Sequence, residues 1–360
     1  MTRVLHLAPP FGGGIATAAR TLSGLAPGHA LATSLASHPE LPQILHLHHA
    51  LAWPDVAARL ADTSKIEPFP HTSIPKTHTS ISKTSPYISI SKTSRPTLVK
   101  TIHILQRRQN RLRGVPSTRS SAVQDEVLRC VDRLTIATRA ARDMLLEDLE
   151  DARDILSPED VAARLHLLPL PPPPLVERSP GAPSGPVVVL GRFDTLKGTD
   201  LLVEALPRIL NAEPHRKVLI AGGLPDHLKA ERRWLEALRS ACDTDRLVFT
   251  GWLSLDAVRE TLANAALFIA PSRLETCGLA LMEALAASCP IVATDIPAHR
   301  ELAQHAALLV PADGASIAEG ALALLTDVEA AERLGAGGPD RLPDPAQIRA
   351  EWLHFWAETR

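Results

Sequence analysis

The sequence predicts an α/β fold of two domains, each built on a mostly parallel sheet. Three observations carry this. Short apolar runs alternate with helical patterns in both halves of the chain, as strand–helix–strand units require. A proline-rich stretch, Pro169–Pro186, separates the halves and is too rich in proline for a helix or a central strand. The length of 360 residues, 45% apolar and 22% charged, is enough for two proper cores.

The elements follow in order. Val4–Ala8 reads as a first strand, Pro9 to Gly14 as a turn and Ile15–Leu25 as a helix. Ile44–His49, Leu98–Leu105 and Leu134–Ala137 read as further strands, and Arg139–Leu149 as a helix. Residues 63–96 break the pattern: Thr-Ser-Ile-Pro-Lys-Thr at 72–77 recurs as Thr-Ser-Ile-Ser-Lys-Thr at 79–84, and Ser-Ile-Ser-Lys-Thr-Ser at 80–85 returns at 89–94. Such repeats bury little apolar area, so they read as a loop insertion without chemistry. After the linker, Val187–Leu190 is a buried-strand run followed by a helix over Thr199–Leu210, and Ala266–Ala270 is another such run followed by a helix over Leu279–Ala287. Pro345–Arg360 is helical, with Trp352, Phe355 and Trp356 on one apolar face. The division expected is 1–168, a linker at 169–186, 187–343, and a terminal helix at 344–360.

No stretch reaches the roughly 18 apolar residues that span a bilayer, and the first apolar run is too short for a signal-peptide core. The four cysteines show no CxxC spacing, and a reduced cytosol is the plain inference. Net charge is −2, yet ten basic residues from Lys76 to Arg119 meet no acidic one between Glu67 and Asp125. That block fits an anionic membrane surface at the inner face or an acidic acceptor, and equally a solvated loop. One tyrosine and no aromatic interleaving speak against nucleic acid.

The chemistry concentrates in two strand–loop–helix units. Glu275 precedes a helix that begins near Gly278 and Leu279, and Glu283 lies one turn inside it. Helix N-terminal N–H groups attract phosphate, while a carboxylate one turn in can accept from a vicinal diol. Arg192 and Lys197 flank the turn after Val187–Leu190, where one can fork phosphate oxygens and the other acts as a point charge. The set suits a sugar nucleotide.

Gly191-Arg192, Lys197-Gly198 and Glu275-x7-Glu283, with Val218–Gly223, Val248–Gly251, Pro290–Thr294 and Leu308–Pro311, resemble the retaining GT-B glycosyltransferases of group 1, family 4. The likeness covers residues 187 to about 327. It implies two Rossmann-like domains facing across a cleft, and transfer of a hexose-type sugar from a nucleoside diphosphate sugar, with retention and without a metal or other cofactor. The acceptor expected is a glycan or lipid-linked hydroxyl, in glycan, glycolipid or surface polysaccharide synthesis. The resemblance gives Glu283 the ribose hydroxyls and Glu275 the donor sugar. Gly278 and Leu279 become backbone donors to phosphate, and Arg192 and Lys197 the diphosphate pair. His103 becomes the N-domain histidine against the transferred sugar, and Gly12, Gly13 and Gly14 the glycine-rich turn that meets the diphosphate. The terminal helix looks like the segment that crosses back onto the N-terminal domain.

Departures from the pattern are visible. Cys277 stands where an aromatic is usual, and Ile104 follows His103 in place of an acidic residue. Asp243-Thr-Asp245 lies in a polar loop without the apolar flanks of a metal-binding Asp-x-Asp. His46, His48 and His49 read as strand-end histidines and not as a metal site, because a strand turns His49 to the other face. Two other classes stay open: a sugar-nucleotide epimerase or sugar-phosphate synthase on the same fold, and a degenerate chain that binds nucleotide sugar or a partner without turnover.

Overall fold

The computed structural model describes residues 4–7, 14–27, 29–32, 42–48, 56, 66–68, 88–90, 96–115, 119–223, 232–242 and 245–359. Two six-stranded sheets organise them. The first holds β1 (Val4–Leu7), β2 (His29–Ala32), β3 (Ile44–Leu47), β6 (Thr97–Ile102), β7 (Arg133–Ile136) and β8 (Leu165–Leu167), in the order β2-β1-β3-β6-β7-β8. The second holds β9 (Val187–Leu190), β10 (Val218–Ala221), β11 (Leu247–Gly251), β12 (Leu267–Ala270), β13 (Ile291–Thr294) and β14 (Leu308–Val310), in the order β11-β10-β9-β12-β13-β14. Every pairing in both sheets is parallel. Parallel strands need crossover connections, and the helices between them supply these while covering both sheet faces.

The strands are short runs of Val, Ile, Leu and Ala because both of their faces are buried. Val187, Val188, Leu267, Ile269, Val292 and Ile291 are all fully enclosed. Alternation then divides each sheet's side chains between two clusters. Leu5, Leu7, Leu45, Leu47, Leu98 and Ile102 pack with Leu145, Leu149 and Val161 on one side of the first sheet. Val4, Ile44 and Val99 pack with Ala18 and Leu22 on the other.

That second side is closed by the helix Pro345–Glu358. Trp352 and Trp356 are fully buried there, and the Trp352 indole N–H donates to the Pro169 carbonyl at 2.8 Å. The Arg349 guanidinium donates to the Leu25 carbonyl at 2.9 Å, and Arg133 donates to that of Glu358 at 2.9 Å. The helix therefore packs against the first sheet, bonded to residues of the first half of the chain at both ends. The proline-rich stretch is likewise packed: Leu170 and Ala182 are buried.

The sequence reading missed β2, β8 and the helices Gln106–Leu112 and Arg119–Cys130. These are short or polar, and tertiary pairing decides them more than periodicity does. Within the repeat-rich insertion, β4 (Ile66–Pro68) and β5 (Ile88–Ile90) form an antiparallel pair, and the repeats, apart from Ser89 and Ile90, lie outside the described residues. Among the described residues, no helix is long and apolar enough to cross a membrane.

Candidate active site

β9 and β12 are neighbours at the centre of the second sheet, where the strand order reverses. Ligands of open α/β sheets bind outside the carboxyl ends of the strands at such a point. The loops leaving these two strands are locked together. The Arg273 N–H donates to the Leu196 carbonyl at 2.8 Å, and its guanidinium forks onto the Asp200 carboxylate at 2.5 and 2.6 Å. Gly198 has φ 72°, and a Cβ there would sit 2.0 Å from the Pro271 carbonyl oxygen. Only glycine fits this approach, so the Lys197-Gly198 pair is fixed by the second loop.

The lock brings the expected residues together. Lys197 Nζ donates to Glu275 Oε1 at 2.6 Å, and the Ser272 hydroxyl donates to the same oxygen at 2.8 Å. Burial alone would raise the Glu275 carboxyl. Lys197, His299 and the Lys197 and Ser272 hydrogen bonds outweigh it and hold the group below the usual range. Arg192 Nε lies 3.1 Å from Oδ2 of Asp194, a fully buried carboxylate whose Oδ1 caps the next turn by accepting from the Lys197 N–H at 3.0 Å. Arg113 of the N-terminal domain approaches the same Oδ2 at 3.8 Å. Each expected diphosphate cation thus has a carboxylate beside it. Sequence reasoning missed Asp194, although an Asp three residues before Lys-Gly is a capping signal.

Gly278, at φ 72°, is the N-cap residue of the helix Leu279–Ala286, so the N–H groups of that helix's first turn face the loop. Glu283 lies one turn in. No hydrogen bond to its carboxylate occurs among the described residues, and burial pushes it up to about 7, with Arg259 pulling weakly the other way.

The N-terminal domain meets this loop directly. The Thr276 hydroxyl donates to the His103 carbonyl at 2.8 Å, and its own carbonyl accepts from the Thr138 hydroxyl at 2.7 Å. Glu301 accepts from the N–H groups of Arg139 and Ala140 at 2.9 and 2.7 Å, at the start of the helix Arg139–Glu150. A carboxylate at a helix N-terminus is favourable on dipole grounds. His103 is therefore one residue's contact from Glu275. Gly14 begins the helix Gly14–Ser23, while Gly12 and Gly13 lie outside the described residues, as does Asp243. Cys277 is turned inward, packed with Met282 and Ile348, and burial raises its thiol to about 12.

Behind His103 the structure assembles what the sequence did not suggest. His6 on β1 is in register with His46 on β3, and His48 follows on the same side. One ring nitrogen from each of the three lies within 4.8 Å of the others. All three are buried, and burial first, then mutual repulsion among the rings, holds them neutral, with His6 lowered to about 3. His48 Nδ1 is 3.1 Å from His103 Nε2. His49 lies outside the described residues. His6 was missed because it stands 40 residues before His46 and only strand pairing unites them.

The basic segment is not an open cationic surface where it is described. Arg107 pairs with Asp125 at 2.7 Å and Arg108 with Asp148 at 2.8 Å and Glu147 at 2.7 Å. Arg111 pairs with Asp151 at 2.8 Å, and Lys100 is buried, donating from Nζ to the His48 carbonyl at 3.1 Å. Lys76, Lys83, Lys92 and Arg95 lie outside the described residues. Replacing Arg108 with Ala should destabilise the fold by about 2–4 kcal/mol, because Asp148 stays buried with only Arg111 nearby. Urea unfolding measures this, and sedimentation with anionic vesicles should show no change for the same variant.

A family model described as "Glycosyl transferases group 1" matches residues 185–327. The lipopolysaccharide core biosynthesis mannosyltransferase LpsB of Rhizobium meliloti is 34% identical over 128 residues, covering 34% of this chain and 36% of that protein. A GDP-mannose-dependent alpha-(1-6)-phosphatidylinositol monomannoside mannosyltransferase of Mycobacterium tuberculosis is 32% identical over 180 residues, covering 46% of this chain and 43% of that one. The chain thus spans less than half the length of these curated relatives. Among solved structures, sucrose-phosphate synthase from Thermosynechococcus elongatus superimposes with a TM-score of 0.71 at 17% identity, covering 99% of both chains. Anabaena HepE in complex with UDP-glucose also gives 0.71, at 13% identity, covering 99% of this chain and 100% of the other. With two parallel sheets in this arrangement and the paired loops at the switch point, the chain has the GT-B fold, and its residues 185–327 are similar to the glycosyl transferases group 1 family.

Proposed function

We propose that this chain transfers a hexose-type sugar from a nucleoside diphosphate sugar to an acceptor hydroxyl, with retention, the diphosphate being held by side chains and backbone and by no metal. The observation that carries the reading is the Lys197–Glu275 pair at the switch point, with Glu283 one turn into the following helix and its carboxylate without a hydrogen bond among the described residues. Glu283 is free to accept from the ribose diol. Lys197 has two further N–H donors for phosphate, and the helix beginning at Leu279 offers its first-turn N–H groups. Arg192 adds a second cation once phosphate competes with Asp194.

In the transfer, the bond from the anomeric carbon to the diphosphate oxygen breaks and a bond to the acceptor oxygen forms on the same face. The acceptor's proton goes to the departing phosphate oxygen, so charge balances without a protein base. Glu275 is a poor nucleophile, since Lys197 and Ser272 already engage its oxygen. Its role is to orient the sugar. His103 approaches from the other domain, and domain closure excludes water. The acceptor we favour is a glycan or a lipid-linked hydroxyl, in line with the names of the two mannosyltransferases.

Thermal stability against UDP-, GDP-, ADP- and CMP-sugars tests this, with GDP-mannose first because the mycobacterial relative is named for it. One nucleotide class should raise Tm selectively, and NMR of the product should show the donor's anomeric configuration kept. Absence of any shift across the panel would sink the reading.

A further inference from the structure

The buried histidine trio has the construction of a metal centre. Each ring hydrogen-bonds outside the trio through one nitrogen. His46 Nε2 meets the Thr101 hydroxyl at 2.6 Å, His6 Nε2 meets His29 Nδ1 at 3.2 Å, and His48 Nδ1 meets His103 Nε2 at 3.1 Å. This is how ligating histidines are oriented, the outer nitrogen fixed by a neighbour and the inner one left for the ion. The remaining nitrogens are His6 Nδ1, His48 Nε2 and His46 Nδ1. The first two are 3.1 Å apart and share a hydrogen bond, which a bound ion would replace. Zinc–nitrogen bonds of about 2.0–2.1 Å at a tetrahedral angle put two ligands about 3.3 Å apart, so this spacing needs almost no change. The third, His46 Nδ1, is buried and has no hydrogen-bond partner among the described residues. An orphaned lone pair in a buried ring costs free energy that a bound ion would recover.

The surroundings are rigid. Trp352 lies 5.8 Å from His46 and Trp356 lies 5.6 Å from His6, centroid to centroid, so the rings are held from the helix side. Thr101 is itself braced by the Thr135 hydroxyl at 2.7 Å. The Lys100 ammonium, bonded to the His48 carbonyl, is the one adverse charge on the described residues nearby. Three imidazoles and no carboxylate select a late first-row transition ion over calcium or magnesium.

We propose that His6, His46 and His48 form a buried tris-histidine site for such an ion, with zinc as its physiological representative. The ion sits in the first sheet, one ring away from His103 and apart from the diphosphate loops. Its consequence for the cleft is a fixed tautomer. With Nε2 of His48 on the metal, its hydrogen is on Nδ1 and is donated to His103 Nε2, so the His103 hydrogen is on Nδ1. The proposal is independent of the transfer reaction and of the donor's identity.

Metal analysis of the purified full chain should find about one zinc per chain, and Co2+ added to chelator-treated protein should give the intense visible bands of a low-coordinate cobalt site. His46→Gln and His6→Asn should each lose the bound metal and the cobalt spectrum while keeping the circular dichroism of the fold. His305→Ala, an exposed histidine elsewhere, should keep both. Wild-type protein that holds no zinc and gives only the octahedral spectrum of aqueous cobalt would overturn the proposal, and so would a His46→Gln chain that folds and binds cobalt as wild type does.

Discussion

Lys197→Ala should lower turnover by about 10²–10³-fold and stability by about 3–5 kcal/mol, the largest paired effect expected anywhere in the chain. The two losses have different origins. Turnover falls because a cation that would meet the developing charge of the diphosphate is gone. Stability falls because Glu275, only 14% exposed, is left charged without the partner 2.6 Å away. Its carboxyl would then rise, since burial already pushes it up and Lys197 is the largest influence holding it down. Adding Glu275→Gln to Lys197→Ala removes the buried charge and should restore most of the stability without restoring turnover. Urea unfolding and donor-hydrolysis assays on the single and double variants separate the two. A double variant as unstable as Lys197→Ala would show that the pair is not the source of the loss.

Glu283→Gln should act with opposite signs on the empty and the occupied protein. In the unliganded chain the carboxyl titrates at about 7 against an ordinary 4.5, so its contribution to stability is fully present below pH 4.5 and is lost as pH rises through 7. Removing the charge should therefore stabilise the chain at pH 8, by about 1–2 kcal/mol after discounting for partial exposure, and leave it unchanged at pH 4. Donor affinity should go the other way, falling by about 10–100-fold with the loss of charge-assisted bonds to the diol. Wild-type affinity should climb between pH 6 and 8 as the carboxyl ionises, and the Gln variant should show no such climb. Calorimetric titration across that range decides it, and a parallel pH profile in both proteins would remove Glu283 from the ribose site.

The second sheet was largely legible because its information is local. Each strand, its loop and its helix are contiguous, so Val187–Leu190 with Lys197-Gly198, and Leu267–Ala270 with Glu275 and Glu283, declare themselves within about 20 residues. What the sequence concealed depends on pairing at a distance. Arg192 reads as an available phosphate ligand until Asp194 is seen folded back beneath it. Arg107, Arg108 and Arg111 read as a cationic stripe because their acidic partners, from Asp125 to Asp151, come later and on other helices. His6 and His46 read as separate strand residues until β1 and β3 are laid side by side. Thr276, Thr138 and Glu301, which join the two halves, carry no pattern of their own.

The helix that seals the first sheet is made long after the strands it covers. Arg349 bonds Leu25 across a separation of 324 residues, and Trp352 and Trp356 are the rings that close over His46 and His6. At synthesis rates of roughly 5–20 residues per second, the first sheet, complete at Leu167, is made about 10–40 s before its cover arrives. During that interval an apolar face and a cluster of imidazoles stand open to solvent, to free metal and to chaperones. The first sheet is thus the more vulnerable of the two while the chain is being made, until two indoles arrive over strands laid down long before them.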